Sequence, residues 1–190
     1  MTVIVAARTK KDGIVLAADS QESWGWKKLD EQDEKLWAEE EYGYILGACG
    51  SVRTAQVIRY YSDWPYPAPK QPLLEFAIKK IIPEVRQATF DHGSQYHSKG
   101  LEMMDASVIM AWDDNLIVID SDYGIFIPIS GRIAIGSGES EALGSLGDTG
   151  PWTKEDVIEA ARVASVSARG VGGAIYFATT KNLAVEKAED

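Results

Sequence analysis

The second residue of the chain is the first that could do chemistry unaided. Thr2 follows the initiator methionine, which is ordinarily trimmed ahead of so small a residue. Trimming would leave a free α-amine and a hydroxyl on one residue. An α-amine with a pKa of about 8 can take the hydroxyl proton and activate the oxygen as a nucleophile without any histidine. Read structurally, the same residue is a threonine that starts a strand. The other sites offer less. Gly136-Ser137-Gly138 lacks the spacing of a dinucleotide fingerprint, and neither a Gly-Lys-Ser/Thr phosphate loop nor a Gly-x-Ser-x-Gly elbow occurs. His92 and His97 fall in a polar stretch and read as solvated loop histidines, so no metal is expected. Cys49 lies in an apolar run with no evident base beside it and reads as a small buried residue. The acidic run at Asp30, Glu31, Asp33 and Glu34 reads as a solvated loop.

The elements around Thr2 are easier to read. Val3 to Arg8 and Ile14 to Ala18 are apolar runs joined by Lys11-Asp12-Gly13, which predicts a hairpin covered on both faces. The polar stretch from Asp19 to Glu34 predicts a loop with weak strands. A second strand pair follows, Leu36-Trp37 and Tyr44 to Ala48. Ser51 can cap a helix that carries Val52, Ala55, Ile58 and Tyr61 at helical spacing. After a connection with Pro65, Pro67, Pro69 and Pro72, a second helix runs from Leu74 to Ala88, with a kink or split expected at Pro83. Asp91 to Gly100 reads as a polar loop. Strand signals resume at Ala106–Trp112, Leu116–Asp120, Gly124–Ile129 and Arg132–Ile135. A short helix after Gly138, a helix capped at Thr153 and a strand from Ala174 to Thr179 close the chain. Strands in blocks with paired helices between them indicate a layered α+β fold and not a dinucleotide-type alternation.

Composition sets the frame. The chain has 190 residues, enough for a single domain over residues 1–190, with 19 Lys+Arg against 29 Asp+Glu, or a net charge of −10. So acidic a chain makes nucleic acid and anionic membrane poor partners, and no apolar run reaches the length of a membrane span. One cysteine leaves no internal disulfide and fits a reducing, cytoplasmic setting. The N-terminus turns charged too soon for a signal peptide. No cofactor is called for.

Several segments, in order, resemble the proteasome β-subunit and its bacterial relative HslV, both N-terminal-nucleophile hydrolases. The carriers are Met-Thr-Val-Ile-Val, the Lys11-Asp12-Gly13 turn, Val15-Leu16-Ala17-Ala18-Asp19, and a lysine, Lys35, sixteen residues beyond that aspartate. Ile45-Leu46-Gly47-Ala48-Cys49-Gly50, Ala134-Ile135-Gly136-Ser137-Gly138 and Gly172-Gly173-Ala174-Ile175 continue the match across most of the chain. The resemblance implies a four-layer αββα sandwich and a threonine endopeptidase. Thr2 would be the nucleophile and, through its amine, the base. Lys35 would hold the hydroxyl in a positive field, Asp19 would keep Lys35 charged, the Gly47 N–H would receive the oxyanion, and Ser137 would bond near the Thr2 amine. Glu22, Ser23, Asp33, Trp37, Ile45 and Cys49 would contact substrate; the apolar members suit an apolar side chain, the acids a basic one.

It further implies homo-oligomeric stacked rings around an inner chamber, an unfolded polypeptide as substrate and an ATP-dependent unfoldase as feeder. No propeptide beyond Met1 is expected, as in HslV. One departure stands out. Where proteasome β-subunits carry Asp and Ser ahead of the paired glycines, this chain has Ala168 and Val171. That leaves two other readings in play, a structural ring subunit without catalysis and an amidase of the same class on a small substrate.

Overall fold

A computed structural model describes residues 1–24, 27–29, 35–68 and 70–189. The strands are β1 (Val3–Arg8), β2 (Ile14–Asp19), β3 (Glu22–Trp24), β4 (Lys27–Leu29), β5 (Leu36–Glu39), β6 (Tyr44–Gly50), β7 (Gln95–Ser98), β8 (Leu101–Met104), β9 (Ala106–Trp112), β10 (Asn115–Ile119), β11 (Ile125–Phe126), β12 (Arg132–Gly136), β13 (Ile175–Thr179) and β14 (Glu186–Lys187). The helices are α1 (Val52–Tyr61), α2 (Leu73–Phe76), α3 (Ile82–Asp91), α4 (Glu139–Leu146) and α5 (Lys154–Ser167), with a π-helical turn, Ala77–Ile81, joining α2 to α3.

Two five-stranded sheets face one another. One runs β12-β1-β2-β13-β14, the other β11-β10-β9-β6-β5. Strand alternation explains the layers. In β1 and β2, Ile4, Ala6, Ile14, Leu16 and Ala18 point inward and meet Leu36, Ile45, Ile109, Leu116 and Val118 of the other sheet. Val3, Val5, Ala7, Val15 and Ala17 point outward under Ala142 of α4 and Val157, Ala160, Ala161 and Ala164 of α5. The outer face of the second sheet, with Leu46, Val108, Met110 and Ile117, lies under Ile58 of α1 and Ile81, Ile82 and Val85 of the long helical segment. Helices therefore cover both outer faces of a two-sheet sandwich, the αββα order the resemblance implied, and its central strands β1, β2, β9 and β10 are almost wholly buried for that reason.

Three local expectations change. The kink or split sought at Pro83 falls just ahead of it, in the π-helical turn, and Pro83 sits in the first turn of α3. Part of the stretch read as a polar loop forms the hairpin β7–β8, with Gln95 opposite Met104. A final short strand, β14, pairs with β13 through Tyr176↔Lys187. Among the described residues no helix is long and apolar enough to cross a membrane.

Candidate active site

The antiparallel ladders of the first sheet bring Thr2, Asp19 and the turn after β12 to one end. Val3 pairs with Gly136, Ile4 with Ala18, and Asp19 with Ile175. Asp19 ends β2 wholly buried, and its carboxylate is met from three directions. Oδ1 accepts the Val3 N–H at 2.9 Å and the Lys35 ammonium at 2.8 Å, and Oδ2 accepts the Gly172 N–H at 3.0 Å. Lys35 comes from the other sheet, on the residue just before β5. Its Nζ also donates to the carbonyls of Gln21 at 2.7 Å and Met1 at 3.3 Å. The Lys35 and Asp19 side chains are 8% and 0% exposed, so this is a desolvated ion pair whose polar valences are filled largely by backbone.

Ser137 closes the site from the β12 side. Its Oγ accepts the Thr2 N–H at 3.2 Å and reaches the Thr2 carbonyl at 3.4 Å, to which the Gly138 N–H also donates at 3.3 Å. The Thr2 nitrogen is here a peptide amide, because Met1 is attached; it stands in the place the free amine would take. Gly136 permits the approach. Its φ is +94°, and a Cβ there would collide with the Thr2 carbonyl. Thr2, Asp19, Lys35 and Ser137 are thus gathered at one end of the sandwich, within a shell of backbone donors.

Gly47 is placed less simply. It lies in β6 opposite Leu36 on one side and Ile109 on the other. The next N–H, of Ala48, donates to the Lys35 carbonyl at 3.1 Å, which ties Lys35 to β6. Alternation along an antiparallel ladder then turns the Gly47 N–H toward β9. An oxyanion role for Gly47 requires the end of β6 to rotate away from Ile109.

The residues expected to contact substrate divide. Ile45 is fully buried in the inter-sheet core, and Cys49 packs partly buried on the same face. Burial pushes the Cys49 thiol up to about 11, with Glu139 and Asp120 adding to the rise and Lys35 opposing it. Cys49 therefore lies within electrostatic reach of Lys35. Trp37 does not share this face. It is an even step from Lys35 in number, yet it pairs with Leu46 and packs outward with Tyr44, Ile58 and Trp64. The inward position of the strand belongs to Leu36. Glu22 and Ser23 lie in β3, opposite Leu29 and Lys28 of β4. Asp33 lies outside the described residues.

Two contributors carried no usable signal in the sequence. The Gln21 carbonyl is a backbone acceptor, and any residue type would supply it. The Gly172 N–H is the other, although the glycine pair it belongs to was visible. Ala168 and Val171 sit in the apolar core under α5. Among the described residues, no group of three or more His, Cys, Asp or Glu side chains comes together to hold a metal ion.

The chain aligns over 99% of its length with all of Thiobacillus denitrificans BPH in complex with epoxomicin, at 18% identity and a TM-score of 0.72. A second structure of Thiobacillus denitrificans BPH matches at 17% identity and a TM-score of 0.74, covering 98% of each chain. The chain has the proteasome-β/HslV-like fold. The eukaryotic HslV of Trypanosoma brucei shares this proteasome-β/HslV-like architecture at 20% identity, with a TM-score of 0.64 over 93% of this chain and 97% of that one. No family model and no curated protein matches the sequence.

Proposed function

We propose that the chain is the threonine peptidase subunit of a self-enclosed ring protease, with Thr2 as nucleophile once Met1 is removed. The observation that carries this reading is the Lys35 ammonium, held by Asp19 at 2.8 Å and reaching the Met1 carbonyl beside Thr2 at 3.3 Å. A lysine buried to this degree stays charged only with a carboxylate partner, and a charged lysine beside the hydroxyl favours the alkoxide. Removal of Met1 takes one acceptor from Lys35 and converts the Thr2 amide, already bonded to Ser137, into the amine that serves as base. The Thr2 oxygen attacks a peptide carbonyl, its proton passes to the amine and then to the leaving nitrogen, and water releases the acyl group by the same route. The substrate would be an unfolded polypeptide admitted to a chamber of stacked copies, fed by an ATP-dependent unfoldase.

The neighbouring complex with epoxomicin names the reagent. Intact mass and epoxomicin labelling of this protein should show Met1 absent and one adduct on Thr2. Asp19→Asn should slow labelling by about a hundredfold or more, the size expected when a group that positions charge in the transition state is lost. An active preparation that retains Met1 overturns the assignment.

A second reading is a ring subunit without catalysis. Ala168 and Val171 favour it, since both are committed to the apolar core and can offer Thr2 no polar support. The absence of any Thr2 adduct in a processed, folded sample would select that reading.

A further inference from the structure

At the end occupied by Thr2, the inter-sheet layer gives way to a polar row. Cys49 of β6 pairs with Ser107 of β9, and Asp120, one step past the Ile119–Val108 pair, stands opposite Ser107. Alternation puts all three on the inward face, because Ile45, Ile109, Leu116 and Val118 of the same strands lie in the inter-sheet core. All three are half-buried, whereas Gly47, Ile109 and Val118, one pair further in, are buried. Ser107 Oγ donates to Asp120 Oδ1 at 3.0 Å, and the Ser121 N–H donates to the same oxygen at 2.7 Å. Among the described residues Oδ2 accepts no hydrogen bond, so half of this carboxylate is left for a donor from outside. The charged groups that act on Cys49 in the middle of the cleft are Glu139, Lys35 and Asp120. Lys35 is paired with Asp19, so the charge left over along the row is negative.

The opposite sheet fixes which part of a substrate passes over this row. A Cβ on Gly47 would touch Ile4, and Lys35 ties the Ala48 N–H to the Met1 carbonyl, so Thr2 faces Cys49 across the gap. β12 packs on β9, which brings Ser137, two residues past inward-facing Ile135, over Ser107. In the reaction proposed above, the Thr2 amine gives its proton to the leaving nitrogen, and Ser137 Oγ lies 3.2 Å from the Thr2 nitrogen. The leaving half of the substrate therefore departs on the Ser137 side, over Ser107 and toward Asp120. We propose that Asp120 selects substrates whose leaving half carries a lysine or arginine within two residues of the scissile bond. Asp120 is two strand spacings, about 10 Å, from Cys49, a span that an extended residue and a long basic side chain cover together. A cation there pairs with the unfilled Oδ2, while an acidic side chain at the same position is repelled. The inference rests on the peptidase reading and adds the side chain that the leaving half must offer.

Two peptide sets test it, built on a sequence that the processed wild-type protein cleaves, with Arg, Ala or Glu at the first or the second position after the cleaved bond. In at least one set kcat/KM should fall in the order Arg, Ala, Glu, by about fivefold from Arg to Ala, the span of a partly exposed ion pair. Asp120→Asn keeps an oxygen for Ser107 and Ser121 and should bring the three peptides within about twofold of one another. Asp120→Glu should restore most of the preference for Arg. Wild-type protein that cleaves Arg, Ala and Glu peptides alike overturns the inference and leaves the peptidase reading standing. So does a preference that survives Asp120→Asn, or a loss in that variant that falls equally on every peptide, which would mean a structural role only. A processed, folded wild-type chain that neither cleaves peptides nor takes an epoxomicin adduct overturns the peptidase reading and this selection with it.

Discussion

Asp19 is the residue on which the candidate site depends. Its two oxygens receive two backbone N–H groups and one ammonium, so strand β1, the turn ahead of β13 and the residue ahead of β5 meet on a single buried carboxylate. Removing one member of such a pair strands the other charge away from water, at a cost of about 3–5 kcal/mol, whereas an exposed pair is worth under about 1 kcal/mol. Cys49 shows the same burial acting on a neutral group. Its thiol is pushed up to about 11, chiefly by burial, so the thiolate is scarce near neutral pH. Alkylation of the folded protein by iodoacetamide should be slow at neutral pH and rise about tenfold per pH unit, levelling only near the shifted pKa. Iodoacetamide kinetics that level near the ordinary thiol value would show a solvated Cys49. The family resemblance is what singled out Thr2, Asp19 and Lys35, and the fold brings the end of β2 against the residue ahead of β5 so that Asp19 and Lys35 meet. Trp37, named only by resemblance, packs on the outer face of its sheet, because it pairs with Leu46 while Leu36, opposite Gly47, holds the inward position.

At the scale of elements, α5 is the support beneath the site. Its apolar stripe packs on the outward residues of β1 and β2, the strands that end at Thr2 and Asp19. The helix starts with a reciprocal cap in which Thr153 Oγ1 accepts the Asp156 N–H at 3.2 Å and an Asp156 carboxylate oxygen accepts the Thr153 N–H at 2.8 Å. Thr153→Ala should lower stability by about 1 kcal/mol, seen as a lower urea midpoint at unchanged slope. Epoxomicin labelling of Thr2 should persist in this variant wherever it stays folded, because the cap touches no residue of the site. An unchanged midpoint would show that the cap is replaced by water. This cap was readable, since Thr-x-x-Asp before an apolar stripe is a local signal. The β7–β8 hairpin was not, because Gln95 to Ser98 has no apolar alternation and forms a strand only by pairing with Leu101 to Met104. β14 was hidden likewise, as two charged residues recruited to the edge by β13.

At the scale of the whole molecule, the strands of each sheet belong to two cores at once. β1 and β2 contribute to the inter-sheet layer and to the layer under α5, while β6, β9 and β10 contribute to the inter-sheet layer and to the layer under α1 and α3. No layer can be lost without exposing a face of its neighbour, which argues for one cooperative unit. Four of the six tryptophans report on the outer layers, Trp37, Trp64 and Trp112 on one side and Trp152 on the other. Ile109 is fully buried between the sheets and touches neither outer layer. Ile109→Ala should destabilise the protein by about 2–5 kcal/mol, the cost of a cavity that the surroundings close only in part. At a fixed protein concentration, tryptophan fluorescence and far-ultraviolet circular dichroism should shift together in urea, because the inter-sheet layer is common to everything the probes see. Two separated midpoints would mean that a helix-bearing sheet survives alone. The site could not then be treated as a product of the whole sandwich, since Lys35 comes with one sheet and Asp19 with the other.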